Sequence, residues 1–187
     1  AGVSIVTGDT KVVNKGSCDK IFINTAGIGV MEKDCHISAS NLQVGDKIIL
    51  SGTIADHGMA VMTTREELSF EGSLRSDTAS LNGLVDEVLK DEPSAVHAMR
   101  DPTRGGIAAA LNEFAKQSNV GIRICSDKIP IREEVKAVTE ILGINPYYVA
   151  NEGKMIVVVN PNYAEKLLQV MRNNELGRDA EIIGEVI

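Results

Sequence analysis

The sequence predicts an α+β fold in which helices pack on a mixed β-sheet. Apolar residues recur at helical spacing in four segments, and short apolar or alternating runs typical of strands lie between them. The composition agrees with a globular domain, since 43% of the 187 residues are hydrophobic and 24% are charged, which excludes collagen-like and disordered chains. Aromatic residues make up only 3%, so we expect a core of aliphatic and methionine side chains.

The strand predictions rest on apolar runs that end at turn residues. Met155 to Val159 is continuously apolar, as expected of a strand that is covered on both faces of a sheet. Residues 46–51 form a second buried run, which Gly52 and the turn Asp56-His57-Gly58 are expected to close. The remaining strands are predicted at residues 1–6, 20–24, 120–125 and 181–187.

Four amphipathic helices are predicted from apolar stripes. The first follows Asp77 or Thr78 as its cap, and the second follows Asp101-Pro102. The fourth starts at Asn160-Pro161, because Asn is a good N-cap and Pro at the first helical position loses no hydrogen bond. The stripes are Leu81, Leu84, Val85, Val88 and Leu89; Ile107, Leu111, Phe114 and Ala115; Val135, Val138 and Leu142; and Ala164, Leu167, Leu168 and Met171.

Charge and cysteine usage exclude several functional classes. The formal net charge of -7 argues against general nucleic-acid binding, which needs a basic face. Cys18, Cys35 and Cys125 are widely spaced and form no C-x-x-C pair, so neither a disulfide framework nor a zinc site is expected. No apolar run approaches the roughly 18 residues of a membrane span, and no leader opens the chain. We therefore expect a cytoplasmic protein.

The first motif with chemical potential is Gly8-Asp9-Thr10-Lys11, directly after an apolar run. A carboxylate, a hydroxyl and an ammonium group at a strand end suit magnesium and phosphate binding, with Asp9 for the cation and Lys11 for phosphate oxygens. A solvated β-turn accounts for the same four residues, because Gly-Asp is a common turn pair. Taken alone, the motif favours the turn.

The second motif runs from Arg100 to Gly106 and leads into the second predicted helix. Unpaired backbone N–H groups at a helix start attract anions, and adjacent glycines let a phosphate approach the backbone closely. Arg100 and Arg104 add charge-assisted contacts, although the Lys-Ser/Thr ending of a P-loop is absent. A capped helix with glycines for tight packing is the alternative interpretation, and the two are compatible.

The third motif, Ala150 to Lys154, precedes the buried run at residue 155. Glu152 at this strand entrance is a candidate base or substrate ligand, and an ordinary turn residue is the alternative. The histidines show no metal-ligand spacing. His57 could line a pocket at a strand end, and His97 is expected to be structural.

Four segments of the chain carry a family resemblance. They are Val6 to Val13, Phe22 to Gly29, His97 to Gly106 and Tyr148 to Lys154. Together they resemble the HypE family of hydrogenase maturation (expression/formation) proteins, in the superfamily of aminoimidazole ribonucleotide (AIR) synthetase and selenophosphate synthetase. The combination of G-D-T-K with R-D-P-T-R-G-G is more specific than either motif alone. The resemblance implies an AIR synthase-like C-terminal α/β sandwich, preceded by the tail end of an N-terminal domain.

The activity that the resemblance implies is ATP-dependent carbamoyl dehydration during the assembly of nickel-iron hydrogenases. In that family a partner carbamoyltransferase places a carbamoyl group on the C-terminal cysteine, the dehydratase converts it to a thiocyanate, and the cyanide passes to the iron. Phosphorylation by ATP turns the carbamoyl oxygen into a leaving group, and loss of the N–H protons makes the nitrile. Such a site requires a phosphate and magnesium cradle and a group that handles the nitrogen protons.

The resemblance also implies roles for individual residues. Lys11 and Glu152 are the implied catalytic pair, with Lys11 near the carbamoyl group and Glu152 deprotonating its nitrogen, so the two are expected to be neighbours across one cleft. Asp9 is the implied Mg²⁺ ligand. The residues implied in ATP binding are Asp9, Thr10, Asp101, Thr103, Arg104, Gly105, Gly106 and Asn151.

The resemblance divides the chain into two parts. Residues 1–30 are expected to be a remnant of the N-terminal ATP-binding and dimerisation domain, and residues 31–187 the C-terminal domain. Family members end in Pro-Arg-Ile-Cys, whereas this sequence ends in Glu185-Val186-Ile187. None of its cysteines is therefore expected to be the carbamoyl acceptor, and the chain alone is expected to lack turnover.

The implied partners are a HypF-type carbamoyltransferase, a HypC–HypD-type maturation complex and, in the full-length form, a second copy of the protein. No nucleic-acid or membrane partner is implied. Two other functions stay open: the chain could belong to another ATP-using superfamily member that activates a different carbonyl or a selenide, or it could be a docking module for maturation proteins without chemistry of its own.

Overall fold

The computed structural model describes residues 2–31, 35–65 and 74–187. The chain divides into two units, the N-terminal unit Ala1–Lys33 and the sandwich unit Asp34–Ile187. All helices and strands of the described residues belong to the sandwich unit. In chain order they are β1 (Lys47–Leu50), α1 (Asp56–Arg65), α2 (Asn82–Lys90), β2 (Val96–Arg100), α3 (Gly106–Ser118), β3 (Ile122–Ile124), α4 (Glu133–Leu142), β4 (Ile156–Val159), α5 (Ala164–Asn173) and β5 (Glu181–Val186).

The five strands form one sheet in the order β2-β4-β1-β5-β3. Every neighbouring pair is antiparallel, so the expectation of a mixed sheet is corrected. Strands β1, β2 and β3 run in the same direction, but β4 and β5 lie between them. The apolar pattern of a strand reports how far it is buried and not the direction of its neighbour, which is why the sequence did not predict this pairing.

The sheet is the middle layer of an α/β sandwich, which confirms the predicted fold class. On one face, Ile48 and Leu50 of β1 pack with Phe114 of α3. On the other face, Ile49 packs with residues of α2 and α5. This division follows from the period of two along a strand, which points successive side chains to opposite faces. All four residues of β4 are buried, as predicted for a strand covered on both faces.

The four predicted helices are present as α2 to α5, with two differences at their starts. α2 begins at Asn82 without a side-chain cap, so neither Asp77 nor Thr78 caps it. α5 begins at Ala164, and the side chain of Asn160 instead accepts a hydrogen bond from the backbone N–H of Asn162 in the preceding turn. Asn160 thus bonds its own local backbone instead of a helix start, whereas Asp77 accepts a hydrogen bond from the distant Glu152 N–H.

Two elements of the sandwich unit were not predicted, α1 and β2. Asp56-His57-Gly58, which we expected to be a turn, is the first turn of α1. Glycine is a poor helix former, but a Cβ at Gly58 would lie 2.2 Å from Cγ1 of Val149. Close packing against residue 149 therefore requires a glycine at this position, and tertiary contact overrides the local signal.

The N-terminal unit differs from the sequence expectation. Its described residues, 2–31, contain turns and bends but no strand, so the strands predicted at 1–6 and 20–24 are absent there. A strand needs a neighbour that accepts and donates its backbone hydrogen bonds, and this unit supplies none among its described residues. That residues 1–30 derive from a separate domain stays a prediction. Within the described parts of the whole chain, no helix has the length and apolar character needed to cross a membrane.

Candidate active site

Three loops of the sandwich unit meet at one edge of the sheet. β4 lies between β2 and β1, and its first residue, Ile156, pairs with Arg100 at the end of β2 and with Leu50 at the end of β1. Because β4 is antiparallel to both neighbours, its entrance lies beside their exits. The topology therefore brings together the predicted turn at 150–154, the predicted loop at 100–106 and the start of α1.

Asn151 joins these three loops. Its side chain is fully buried, and its Oδ1 accepts a hydrogen bond from the N–H of Ala55 over 2.8 Å. Its Nδ2 donates to the carbonyl oxygens of Pro102, over 3.2 Å, and Val149, over 2.9 Å. The Oγ1 of Thr103 donates to the Asn151 carbonyl oxygen. Both ends of the amide are bonded to backbone, so this side chain positions the loops, and its contact with ATP stays a prediction.

The backbone is strained where Asn151 holds it. Ala55 has a φ of 70° although it is not a glycine, and it is fully buried directly before α1. Such a conformation costs on the order of 1 kcal/mol or more and persists only where surrounding contacts determine it. The hydrogen bond to Asn151 is one such contact.

The loop before α3 combines tight packing with an open helix end. Gly105 and Gly106 have φ values of 69° and 63°. A Cβ at Gly106 would lie 2.3 Å from the carbonyl oxygen of Tyr147, so protein backbone occupies the space on that side of the residue. The amino end of α3 nevertheless has no side-chain cap. The packing interpretation holds for Gly106, and the helix end stays available to an anion.

The two arginines of this loop differ in their surroundings. Arg100 forms an ion pair with Glu113 on α3. Arg104 is exposed and forms no ion pair with any residue that the structure describes. Arg104 is therefore the cation of this loop that can turn toward a ligand.

The turn that carries Glu152 is packed against the segment around Asp77. A Cβ at Gly153 would lie 1.8 Å from the carbonyl oxygen of Asp77, and Oδ1 of Asp77 accepts a hydrogen bond from the Glu152 N–H over 3.1 Å. Oδ2 of Asp77 lies 3.2 Å from Nζ of Lys154 but has no aligned hydrogen-bond donor among the described residues. These contacts hold the turn while the Glu152 side chain stays 38% exposed.

A histidine and two hydroxyl groups lie next to Glu152. The Nε2 of His57, the second residue of α1, is 4.0 Å from Oε1 of Glu152. The Nδ1 of His57 is 2.8 Å from Oγ of Ser76, which in turn is 2.7 Å from Oγ1 of Thr78. His57 lies in the first turn of α1 and not at a strand end, and that it lines a pocket stays a prediction; Ser76 carried no sequence signal.

A buried carboxylate opens α1. Asp56 is 2% exposed, accepts a hydrogen bond from the hydroxyl of Thr53, and lies 3.4 Å from Nε of Arg132. Burial raises the pKa of Asp56 above its ordinary value of 3.8, while the Thr53 hydrogen bond and the charges of Arg132 and Lys154 act in the opposite direction. We did not predict this residue as part of a site, because in sequence it is an ordinary turn or cap residue.

The predicted site residues divide between the two units. Glu152, Asn151 and the loop residues Asp101, Thr103, Arg104, Gly105 and Gly106 lie at one edge of the sandwich sheet. Asp9, Thr10 and Lys11 are exposed residues of the N-terminal unit, where Oδ1 of Asp9 accepts a hydrogen bond from the Thr10 N–H. That Lys11 and Glu152 face each other across one cleft therefore stays a prediction.

Comparison with known proteins agrees with this architecture. Residues 43–187 match the family model of the AIR synthase related protein, C-terminal domain. The chain is 48% identical over all 187 residues to carbamoyl dehydratase HypE of Bradyrhizobium diazoefficiens and covers 54% of that protein. The chain thus spans about half the length of the curated relatives that it matches.

Solved structures give the same result. The crystal structure of E. coli HypE, a hydrogenase maturation protein, matches with a TM-score of 0.95 and 45% identity over 100% of this chain and 57% of its own. A HypE–HypF complex matches with a TM-score of 0.78 and 51% identity over 80% of this chain and 49% of its own. HypE in complex with ATP matches with a TM-score of 0.77 and 39% identity over 80% and 44%.

These similarities confirm the resemblance inferred from the motifs. The match to the family model covers most of the chain and corresponds to the sheet and helices of the sandwich unit. The chain therefore belongs to the family of AIR synthase related proteins, and the HypE proteins are the members to which it is similar over its whole length.

Proposed function

We propose that the natural full-length chain carrying this sequence is an ATP-dependent carbamoyl dehydratase that supplies cyanide ligands to the iron of nickel-iron hydrogenases. The observation that carries this proposal is the sheet edge organised by Asn151, where Glu152 is presented beside the loop from Asp101 to Gly106. Similarity to a protein named carbamoyl dehydratase supports it. The reaction removes water from an S-carbamoyl group on a C-terminal cysteine and leaves a thiocyanate.

The loop before α3 suits the phosphates of ATP. The first backbone N–H groups of α3 have no side-chain cap, and N–H groups at a helix start bind anions. Arg104 adds an exposed guanidinium, which makes charge-assisted hydrogen bonds to phosphate oxygens. ATP, when bound, supplies the phosphoryl group that makes the carbamoyl oxygen a leaving group. The complex of a HypE protein with ATP supports this assignment.

Glu152 and Lys11 perform the chemistry in this proposal. Glu152 is held by its backbone and keeps its carboxylate partly exposed, which suits a base that accepts the N–H protons of the carbamoyl group. Lys11 lies near the carbamoyl group and offsets the negative charge that develops as the C–O bond breaks. In this proposal both residues are needed for turnover.

Asp9 is the proposed ligand of Mg²⁺. Its carboxylate is exposed, and only its Oδ1 is engaged by a neighbouring N–H. Mg²⁺ usually binds one or two carboxylates and completes its shell with water and substrate phosphates. A single carboxylate therefore fits, and no group of three or more potential metal ligands occurs in the described part of the chain.

The proposed partners are those that the family resemblance implies. A HypF-type carbamoyltransferase would load the terminal cysteine, and the solved HypE–HypF complex supports that partner. A HypC–HypD-type complex would receive the cyanide, and the full-length protein would be a homodimer. All of these steps take place in the cytoplasm in this proposal.

Loss of the catalytic pair is the direct test. In the full-length chain loaded with the carbamoyl group, Glu152→Ala and Lys11→Ala are expected to lower thiocyanate formation by about 10²- to 10⁴-fold, the usual contribution of a positioned acid or base. Mass spectrometry of the C-terminal peptide measures the loss of water. Glu140→Ala and Lys15→Ala are matched controls, since both residues are exposed and lie outside the site, and they should retain the wild-type rate.

The same variants separate the alternatives. If Glu152→Ala and Lys11→Ala keep partner binding but lose dehydration, the docking-only function is excluded. Wild-type activity in both variants would refute our assignment of the catalytic pair. Turnover of a different carbonyl or of selenide, with no product at the terminal cysteine, would assign the chain to another branch of the superfamily.

A further inference from the structure

We propose that His57 is a positioning residue that acts through Glu152 and removes the proton that Glu152 takes from the carbamoyl nitrogen. This inference rests on the proposed dehydratase function. It adds the hydrogen-bonded row His57, Ser76 and Thr78, called the relay row below, as a path from Glu152 to solvent. Neither histidine chemistry nor this path was part of the motif-based prediction.

The placement of His57 is determined by buried contacts of the two residues before it. It follows Asp56, which is held by Thr53 and Arg132, and Ala55, whose N–H is held by Asn151. The imidazole is 24% exposed, and its Nε2 lies 4.0 Å from Oε1 of Glu152. That distance is too long for a direct hydrogen bond. The proposal therefore requires that one water connects the two atoms, or that they approach each other when the substrate binds.

The relay row connects the other nitrogen of His57 to the surface. Nδ1 lies 2.8 Å from Oγ of Ser76, and that oxygen lies 2.7 Å from Oγ1 of Thr78. A hydroxyl both donates and accepts and can rotate between partners. Ser76 and Thr78 are exposed, so a proton that reaches Nε2 can be released from Nδ1 through the row to water.

The charged neighbours leave Glu152 as the partner of His57. Asp56 on the same helix lies beside Arg132, and Asp77 lies 3.2 Å from Lys154. Each of these carboxylates therefore has its own cation nearby. Glu152 has no other cation within ion-pair distance among the described residues. A neutral imidazole beside this carboxylate is the available acceptor for its proton.

The proposed steps conserve protons and charge. Glu152 takes the two N–H protons of the carbamoyl group one after the other. The first leaves as ATP phosphorylates the carbamoyl oxygen and the carbon–nitrogen double bond forms, and the second leaves as the C–O bond breaks, phosphate departs and the triple bond forms. After each transfer the neutral Glu152 passes the proton to Nε2 of a His57 that carries its proton on Nδ1, and the imidazolium releases the Nδ1 proton through Ser76 to water. Exchange with water, which returns a proton to Nδ1 and removes the one on Nε2, restores the starting tautomer.

The test is the pH dependence of dehydration in the full-length carbamoylated chain with His57→Gln. We expect thiocyanate formation at neutral pH to fall about 10- to 100-fold, with KM for ATP unchanged, because proton transfer steps contribute on this scale. The wild-type rate should fall toward acid pH, because protonation of the imidazole removes the acceptor for the Glu152 proton, and this acid limb should shift to lower pH in the variant. His36→Gln is the matched control, since His36 is exposed and distant in sequence.

The outcomes separate this inference from the proposed function. A wild-type rate in His57→Gln, or a reduced rate with an unshifted acid limb, overturns the relay, because a purely structural role would leave the limb in place. If Glu152→Ala is inactive while His57→Gln is wild-type, only the relay fails; if both are fully active, the assignment of the base fails too. Should His57→Gln not fold, Ser76→Ala decides, with a shifted limb expected and an unshifted limb refuting the proposal.

Discussion

The two units of this chain differ in whether their isoleucine side chains are exposed or buried. In the N-terminal unit, Ile5 and Ile23 are 95% and 85% exposed, whereas Ile48 and Ile156 in the sandwich unit are fully buried. All four lie in apolar runs that resemble strands in sequence. The difference shows that an apolar pattern predicts that a surface can be buried, but a strand forms only where a neighbour supplies backbone hydrogen bonds.

The comparison extends to the candidate site. Glu152 is presented by a turn in which Gly153 contacts the Asp77 backbone and Asn151 bonds to three other backbone groups. Asp9 and Lys11 lie in a segment whose side chains are almost all exposed. The candidate-site residues of the sandwich unit are thus preorganised by packing, which is the property that catalytic groups require.

The largest expected difference is in the unfolding free energies of two isoleucine variants, one from each unit. Ile156→Ala should lower the free energy of unfolding by about 2–5 kcal/mol, because it removes buried methyl groups and leaves a cavity. Ile5→Ala should change it by less than about 0.5 kcal/mol, since an exposed side chain loses no packing. Urea unfolding of the 187-residue chain measures both. Equal losses in the two variants would mean that the N-terminal unit is packed as tightly as the sandwich.

The second comparison is between the stabilities of two glycine variants, one from each unit. Gly153→Ala should destabilise the sandwich by about 1–3 kcal/mol, because its Cβ would collide with backbone and the turn would have to move. Gly27→Ala is the matched control, since a Cβ there meets nothing within 4 Å. Urea unfolding is again the measurement. A Gly153→Ala variant as stable as the wild type would show that the Asp77 segment can move without lowering the free energy of unfolding. Activity of the full-length variant would then report how far Glu152 had moved.

The smallest effect concerns the buried carboxylate of Asp56. The pKa of Asp56 is raised in the folded state, so the folded protein keeps the carboxyl proton at pH values where the unfolded chain has released it. The free energy of unfolding therefore falls as the pH rises from about 3.8, the ordinary pKa, through the raised pKa of the folded state. Asp56→Asn removes this dependence. The difference in unfolding free energy between variant and wild type should therefore shift in favour of the variant as pH rises, and a pH-independent difference would contradict the raised pKa.

Much of the fold was predictable from local pattern. The stripes of α2 to α5 and the apolar run of β4 appear in the structure at nearly the predicted positions, because each buries one face or both faces against a core. α1 was missed, since His57-Gly58 has weak helix propensity and its glycine is explained only by contact with Val149. The antiparallel direction of every strand pair was likewise not encoded in any single run.

The candidate site was predictable in part. Glu152 and the loop from Asp101 to Gly106 were predicted from a strand entrance, a helix start and a family resemblance, and the structure places them at one edge. For Gly106 the sequence left tight packing and phosphate binding both open, and only the structure shows the packing, because the space beside it belongs to Tyr147, 41 positions later in sequence. Asp77 and Ser76 were missed as site residues for the same reason: their partners, Glu152 and His57, are distant in sequence.

By itself, the sequence determined which segments carry apolar faces, where helices start within a few residues, and which motifs mark the family. These are properties of short windows, in which the period of side chains along a helix or strand is already present. Only the tertiary structure decided the strand order, the hydrogen bonds by which Asn151 connects three loops, and the placement of His57 beside Glu152. Each depends on contacts between segments far apart in the chain, and such contacts are selected by the packing of the whole fold.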